Sequence, residues 1–148
     1  MARVVDKKTA KQKSKTIILI DTNFLLIPAQ FGVDIFSEID RLCHVPYELR
    51  VYAGTILELE KIARTASGRD KAAARLGRQL LSAKKVKIIK PRPAAIETLL
   101  NTDRFIVDFA ARNKCIVATL DRELQKVLLE KGIRCIVLRG KDHLEMRG

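Results

Sequence analysis
Three aspartates and one of two glutamates have the types and settings that acid-dependent chemistry requires. Asp21 closes the apolar run of "IILIDTNFLL" and is followed, after only Thr22 and Asn23, by further apolar residues. An ionised carboxylate at the end of a buried strand is costly unless a cation, a hydrogen-bond donor or water compensates it. Asp21 could also cap a following helix, since its oxygens accept from orphan backbone donors. Asp121, in "IVATLDREL", has the same two readings. Asp103 lies three and four positions before Ile106 and Val107, on the helical face continued by Ala110 and Ala111, so an acid points toward the core. The alternative for Asp103 is a first-turn acid favoured by the helix dipole. Asp108 lies off that stripe with Arg112 at i+4, the spacing of a solvated pair. In "TILELEKIA", Ile56, Leu59, Ile62, Ala63 and Ala66 mark a buried face, and Glu58 and Glu60 occupy its two shoulders. Arg64 stands at i+4 from Glu60, whereas Glu58 has Ile62 at that spacing and Lys61 at i+3, which tilts the choice toward Glu58.

These acids need elements to bring them together. Short β-rich runs at Ile17–Ile20, Arg50–Tyr52, Val86–Ile89, Ile116–Thr119 and Cys135–Leu138 alternate with helical patterns at Asp34–Leu42, Thr55–Ala66, Asp70–Lys84, Asp103–Arg112 and Arg122–Lys131. Gly132 ends the last helix. Such alternation implies a parallel sheet, with ligands bound beyond the carboxyl ends of the strands where strand order reverses. Asp21 and Asp121 both follow apolar runs at that kind of position.

At 148 residues the chain fits one domain with a sizeable core, spanning 16–148. Residues 1–15 carry Arg3, Lys7, Lys8, Lys11, Lys13 and Lys15 against Asp6 alone and read as a flexible basic arm. The net charge of +12 and pI near 10.0 favour a polyanionic partner, with nucleic acid preferred to an acidic membrane. Cys43, Cys115 and Cys135 are widely spaced and odd in number, two of them in apolar runs, which suggests free thiols in a reducing compartment. With no Cys-x-x-Cys pair and only His44 and His143, a zinc site is not expected. The apolar run behind the arm is too short for a signal core or a membrane span, so the expectation is a soluble, cytoplasmic protein without a membrane partner.

The segments "IDTNFLL", "ILELEKI", "NTDRFIVDFA" and "IVATLDREL", in that order, resemble the PIN-domain nucleases, above all the archaeal and eukaryotic type linked to small-subunit ribosomal RNA processing. The resemblance runs from about Ile17 to Leu138. It implies a three-layer α/β/α fold with a five-stranded parallel sheet in which the strands ending near Asp21 and Asp121 are neighbours. It also implies a catalytic and metal-binding set of Asp21, Glu58, Asp103 and Asp121, with Asn23 and Thr119 as polar support. Two departures are visible: no zinc-binding appendage of the kind some relatives carry is present, and Arg104 follows Asp103 where several relatives have a second acid.

Carboxylates gathered in one crevice repel each other, and a hard, oxygen-seeking cation such as Mg²⁺ or Mn²⁺ turns that repulsion into a site. Metal-assisted phosphodiester hydrolysis requires no protein nucleophile. The expected activity is therefore a metal-dependent endoribonuclease on ribosomal precursor RNA. A VapC-like toxin ribonuclease and a non-cutting RNA-binding ribosome-assembly factor are the alternatives. A haloacid-dehalogenase-like phosphatase ranks last, because Asn23 stands where its second aspartate belongs. RNA attraction is expected from the arm and from Lys71, Arg75 and Arg78, spaced i, i+4 and i+7 on a helix whose buried side is Leu76, Leu80 and Leu81. That stripe reads equally as a solvated face. With no Trp, five Phe and two Tyr, no extended base-stacking platform is expected. Phe105 and Phe109, on the far side of the Asp103 helix, imply either a homodimer through that helix or cover from the same chain.

Overall fold
In the computed structural model, which describes residues 15–91 and 101–148, the most buried strand is the one that ends at Asp21. This strand, β1 (Thr16–Ile20), is buried on both faces, which is why its sequence is a continuous apolar run rather than an alternation. It pairs in parallel with β2 (Tyr47–Tyr52) on one side and β4 (Cys115–Ala118) on the other. Beyond β2 lies β3 (Lys87–Ile89), and beyond β4 lies β5 (Cys135–Arg139), both parallel. The chain thus builds outward from β1 in one direction, then returns to build outward in the other. The crevice between the carboxyl ends of β1 and β4 is the switch point at which α/β sheets bind ligands.

The five expected strands are present, but the sheet has six and is mixed rather than all parallel. The sixth, β6 (His143–Arg147), pairs antiparallel with β5, giving the order β3-β2-β1-β4-β5-β6. The connecting turn runs through Gly140 and Lys141, both in the left-handed region at φ 59° and 61°. The loop Gly140-Lys141-Asp142 carries a hairpin-compatible glycine but not the Asn-Gly or Asp-Gly pair that is the strongest hairpin signal. Leu144, facing Leu138, directs its own N–H and C=O away from β5. Glu38 accepts from the Leu144 N–H at 2.9 Å and Arg41 donates to its carbonyl at 2.9 Å, which satisfies the outer edge of the strand. These contacts hold the Glu38 carboxyl well below its ordinary range, at about 2.

Helices α1 (Ile27–Phe31), α2 (Ile35–Leu42), α3 (Ala53–Thr65) and α4 (Gly68–Ala83) contribute the core of one layer with Ile18 and Ile20. Helices α5 (Thr102–Arg112) and α6 (Arg122–Glu130) pack with Leu19 and Val117 on the other face, completing three layers. The expected helices are all found, whereas α1 and the 3-10 turn Asn23–Leu26 before it are additional. Pro28 reads as a break in sequence but sits in the first turn of α1, where its missing N–H costs nothing. The buried face of α4 is centred on Ala73, Ala74, Gly77 and Leu81, with Leu76 and Leu80 only half-buried. Phe105 stacks on the buried Tyr52 ring at 3.6 Å and 13°, and Phe109 lies 5.7 Å from Phe105. These rings make their contacts within the chain and stay half-buried, so the fold lends no support to a homodimer through α5.

Candidate active site
Asp21 lies one residue past β1, 5% exposed, with its N–H bonded to the Ala118 carbonyl of β4 at 2.9 Å. Its Oδ1 accepts from the Thr22 N–H at 2.8 Å, and its Oδ2 accepts from the Thr119 hydroxyl at 2.8 Å. Burial raises its pKa from 3.8 to about 6 against the opposing effect of these two donors, and the negative charges of Asp103 and Glu58 push in the same direction as burial. The Asp103 carboxyl is also raised, first by burial and then by Asp121 and Glu58. The strand ends, α3 and the first turn of α5 thus bring Asp21, Glu58, Asp103 and Asp121 within electrostatic reach of one another.

Glu58, exposed on α3, accepts from the hydroxyls of Thr22, at 3.0 Å, and of Thr102. It therefore sits over the Asp21 loop and the start of α5. Glu60, on the other shoulder, faces Arg78 across 3.7 Å with both side chains about half exposed. Asp121 is the N-cap of α6, its Oδ1 accepting from the Leu124 N–H at 3.1 Å. The capping and the cluster readings of Asp121 are thus compatible. Thr119, fully buried, links the two strand ends: besides donating to Asp21 it accepts from the Asp121 N–H at 3.1 Å, and its carbonyl takes the Gln125 amide at 2.9 Å. Asn23 is exposed at the start of the 3-10 turn, with no bond to any of the four acids.

Thr22 and Thr102 are site residues that sequence reasoning missed. Each is adjacent in sequence to a cluster acid, Asp21 or Asp103, and a short hydroxyl beside an acid at the start of an element was the available signal.

The donor set is entirely carboxylate oxygen, and no ion pair among the described residues engages any of the four acids. An uncompensated, partly buried group of acids suits a hard divalent cation. As they stand, with Glu58 turned onto threonines and Asp121 onto a helix N-terminus, no three His, Cys, Asp or Glu side chains among the described residues converge enough to hold a metal ion. Of the expected RNA contacts, Lys7, Lys8, Lys11 and Lys13 lie outside the described residues. Lys15 directly precedes β1, while Lys71, Arg75 and Arg78 lie on α4, with the charge of Arg78 directed at Glu60. Among the described residues, no helix is long and apolar enough to cross a membrane.

Comparison with known proteins agrees with this architecture. The chain is 31% identical over 134 residues to Ribonuclease VapC4 of Methanocaldococcus jannaschii, covering 88% of this chain and 96% of that protein. Its fold is similar to that of the PIN domain endonuclease Utp24, with a TM-score of 0.68 at 18% identity, covering 88% of this chain and 90% of the other. The family described as PIN like domain matches residues 18–141, which include all four acids and all of β1 but its first two residues. The chain therefore belongs to the PIN-like domain family.

Proposed function
We propose that this protein is a divalent-metal-dependent endoribonuclease that hydrolyses RNA phosphodiesters, with ribosomal precursor RNA as its substrate. The observation that carries the reading is Asp21. It is a carboxylate buried at the switch point of the sheet, raised to about 6, with Glu58 and Asp103 adding negative charge and no cationic partner among the described residues. Asp21, Glu58, Asp103 and Asp121 would hold Mg²⁺ or Mn²⁺, which when bound supplies water activation and stabilises charge on phosphodiester oxygens. The chain's own contribution is positioning. Thr119 fixes Asp21 and the Asp121 backbone with one hydroxyl, and Thr22 with Thr102 aims Glu58. Ribonuclease VapC4 is named as a ribonuclease, which supports RNA as the substrate class.

The same likeness favours a second reading for the target, a VapC-like toxin that cuts a few cellular RNAs. The test incubates purified protein with precursor ribosomal RNA and with total cellular RNA, in Mn²⁺ with and without chelator, and maps the new ends. Chelator-sensitive cuts confined to the precursor support the ribosomal reading, and cuts confined to a few other RNAs support the toxin reading. Absence of chelator-sensitive cutting in both pools contradicts the nuclease assignment.

A further inference from the structure
Beside Asp121 lies a groove of about 780 Å³ between α6 and the β5–β6 hairpin. Leu120 and Arg122, the two neighbours of Asp121, both line it, so the groove begins where the acidic crevice ends. Leu129, Val137 and Leu138 give it an apolar strip within a mainly polar lining, and Phe31, which also lines it, is 38% exposed. Its rim is cationic: Arg122 and Lys126, one helical turn apart on α6, face Lys141 on the hairpin turn.

The cations are not all equivalent. Arg139 is spent on Glu145 at 3.3 Å and Arg147 on the Gln125 side chain at 3.1 Å. Arg122, Lys126 and Lys141 enter no ion pair among the described residues, although Glu123 and Glu130 also line the groove. Lys141 moreover adopts the left-handed conformation, at φ 61°, where glycine, asparagine or aspartate is the easier residue.

An apolar strip, an exposed aromatic ring and cations without ion pairs on both sides of the groove suit a flexible polyanion whose bases can leave the backbone. That describes single-stranded RNA: bases stack on the ring while phosphates meet the cations. A duplex would keep its bases away from Phe31. We infer that this groove binds the single-stranded segment flanking the cleaved phosphodiester, with Phe31 as a base platform and Arg122, Lys126 and Lys141 as phosphate contacts. The inference rests on the ribonuclease reading of the neighbouring acids.

The test measures binding of a fluorescein-labelled single-stranded oligouridylate by anisotropy across a salt series, without divalent metal and in the Asp21→Asn background, so that cutting does not enter. Lys126→Glu with Lys141→Glu should weaken binding about tenfold or more and reduce the log-log salt slope by about 1.4, two single-strand phosphate contacts being lost. Lys126→Ala with Lys141→Ala should act in the same direction if the charge reversal perturbs folding. Phe31→Ala should weaken binding about fivefold or more with the salt slope unchanged, because stacking releases no counterions. Lys131→Glu with Arg134→Glu, a charge-matched change before the amino end of β5, should do much less. Wild-type-like binding by the groove variants, an equal loss in the charge-matched control, or preference for duplex over single strand would overturn the inference. Because this assay contains no divalent metal, a failure of the groove and a failure of metal-dependent cleavage are read separately.

Discussion

The Thr119 hydroxyl donates to Asp21 Oδ2 at 2.8 Å from the neighbouring strand end, and the same oxygen accepts from the Asp121 N–H at 3.1 Å. One buried atom therefore sets the relative position of two acids that are one hundred residues apart in sequence. Thr119→Val keeps the shape and removes both interactions. It should destabilise the protein by about 1.5–3 kcal/mol in urea unfolding, because a buried carboxylate loses a donor. It should also weaken Mn²⁺ binding.

The raised pKa of Asp21 fixes the sign of a pH effect on stability. Between 3.8 and about 6 the folded state binds a proton that the unfolded chain has released, so this group makes stability fall as pH rises through that window and adds nothing further above it. In chelator, Asp21→Asn should accordingly raise the melting temperature at pH 7.5, with the gain vanishing near pH 4. About 3 kcal/mol is the upper limit for a shift of this size, and it is reduced because the amide cannot accept from Thr119 as the carboxylate does. A melting temperature that falls at pH 7.5 would contradict this account of Asp21 as an uncompensated acid.

Glu58 and Glu60 should differ sharply. Glu58 is aimed by Thr22 and Thr102, whereas Glu60 belongs to a solvent-exposed pair with Arg78 of little energetic weight. In a cleavage assay with Mn²⁺, Glu58→Gln should lose most activity and Glu60→Gln should stay near wild type. Thr102→Val, which frees one oxygen of Glu58, should cost about 10–100-fold in activity or metal affinity, as removal of a positioning partner does. Equal losses in the two glutamine variants would place the site on the wrong shoulder of α3.

Much of this arrangement was legible in the chain because it rests on local pattern. The buried strand that runs into Asp21 follows from hydrophobic periodicity, the N-cap of Asp121 follows from its place before a helical pattern, and the α/β alternation implies the switch point. Asp103, expected to point toward the core, is instead exposed in the first turn of α5, where the helix dipole favours an acid. Other features depend on tertiary placement. Thr22 and Thr102 act through Glu58, 36 and 44 residues away in sequence, and nothing local signals that meeting. β6 follows a Gly-containing turn without the stronger Asn-Gly or Asp-Gly pair, and its own five residues show only a weak apolar pattern, while only tertiary placement sets the Tyr52 ring against Phe105.

Gly77 shows the same limit, since a glycine within α4 reads only as a weak point of the helix. An added Cβ would stand 2.7 Å from the carbonyl oxygen of Leu25, in the 3-10 turn that follows Asp21. Gly77→Ala should gain about 1 kcal/mol in helix propensity and lose about 1–3 kcal/mol by overpacking against rigid backbone. A net loss of stability in urea unfolding is expected, together with weaker metal binding as the turn shifts. A stabilised variant would show that the turn yields freely and does not fix Asp21.

Titration calorimetry with Mn²⁺, on wild type and on Asp21→Asn at pH 7.5, tests the central claim most directly because it reads the acids without any RNA. The account predicts saturable binding to wild type, and loss of that binding in Asp21→Asn while its circular dichroism and cooperative melting are retained. Equal Mn²⁺ binding by the two proteins, or none by wild type, would contradict the assignment of Asp21, Glu58, Asp103 and Asp121 as a metal-dependent nuclease site.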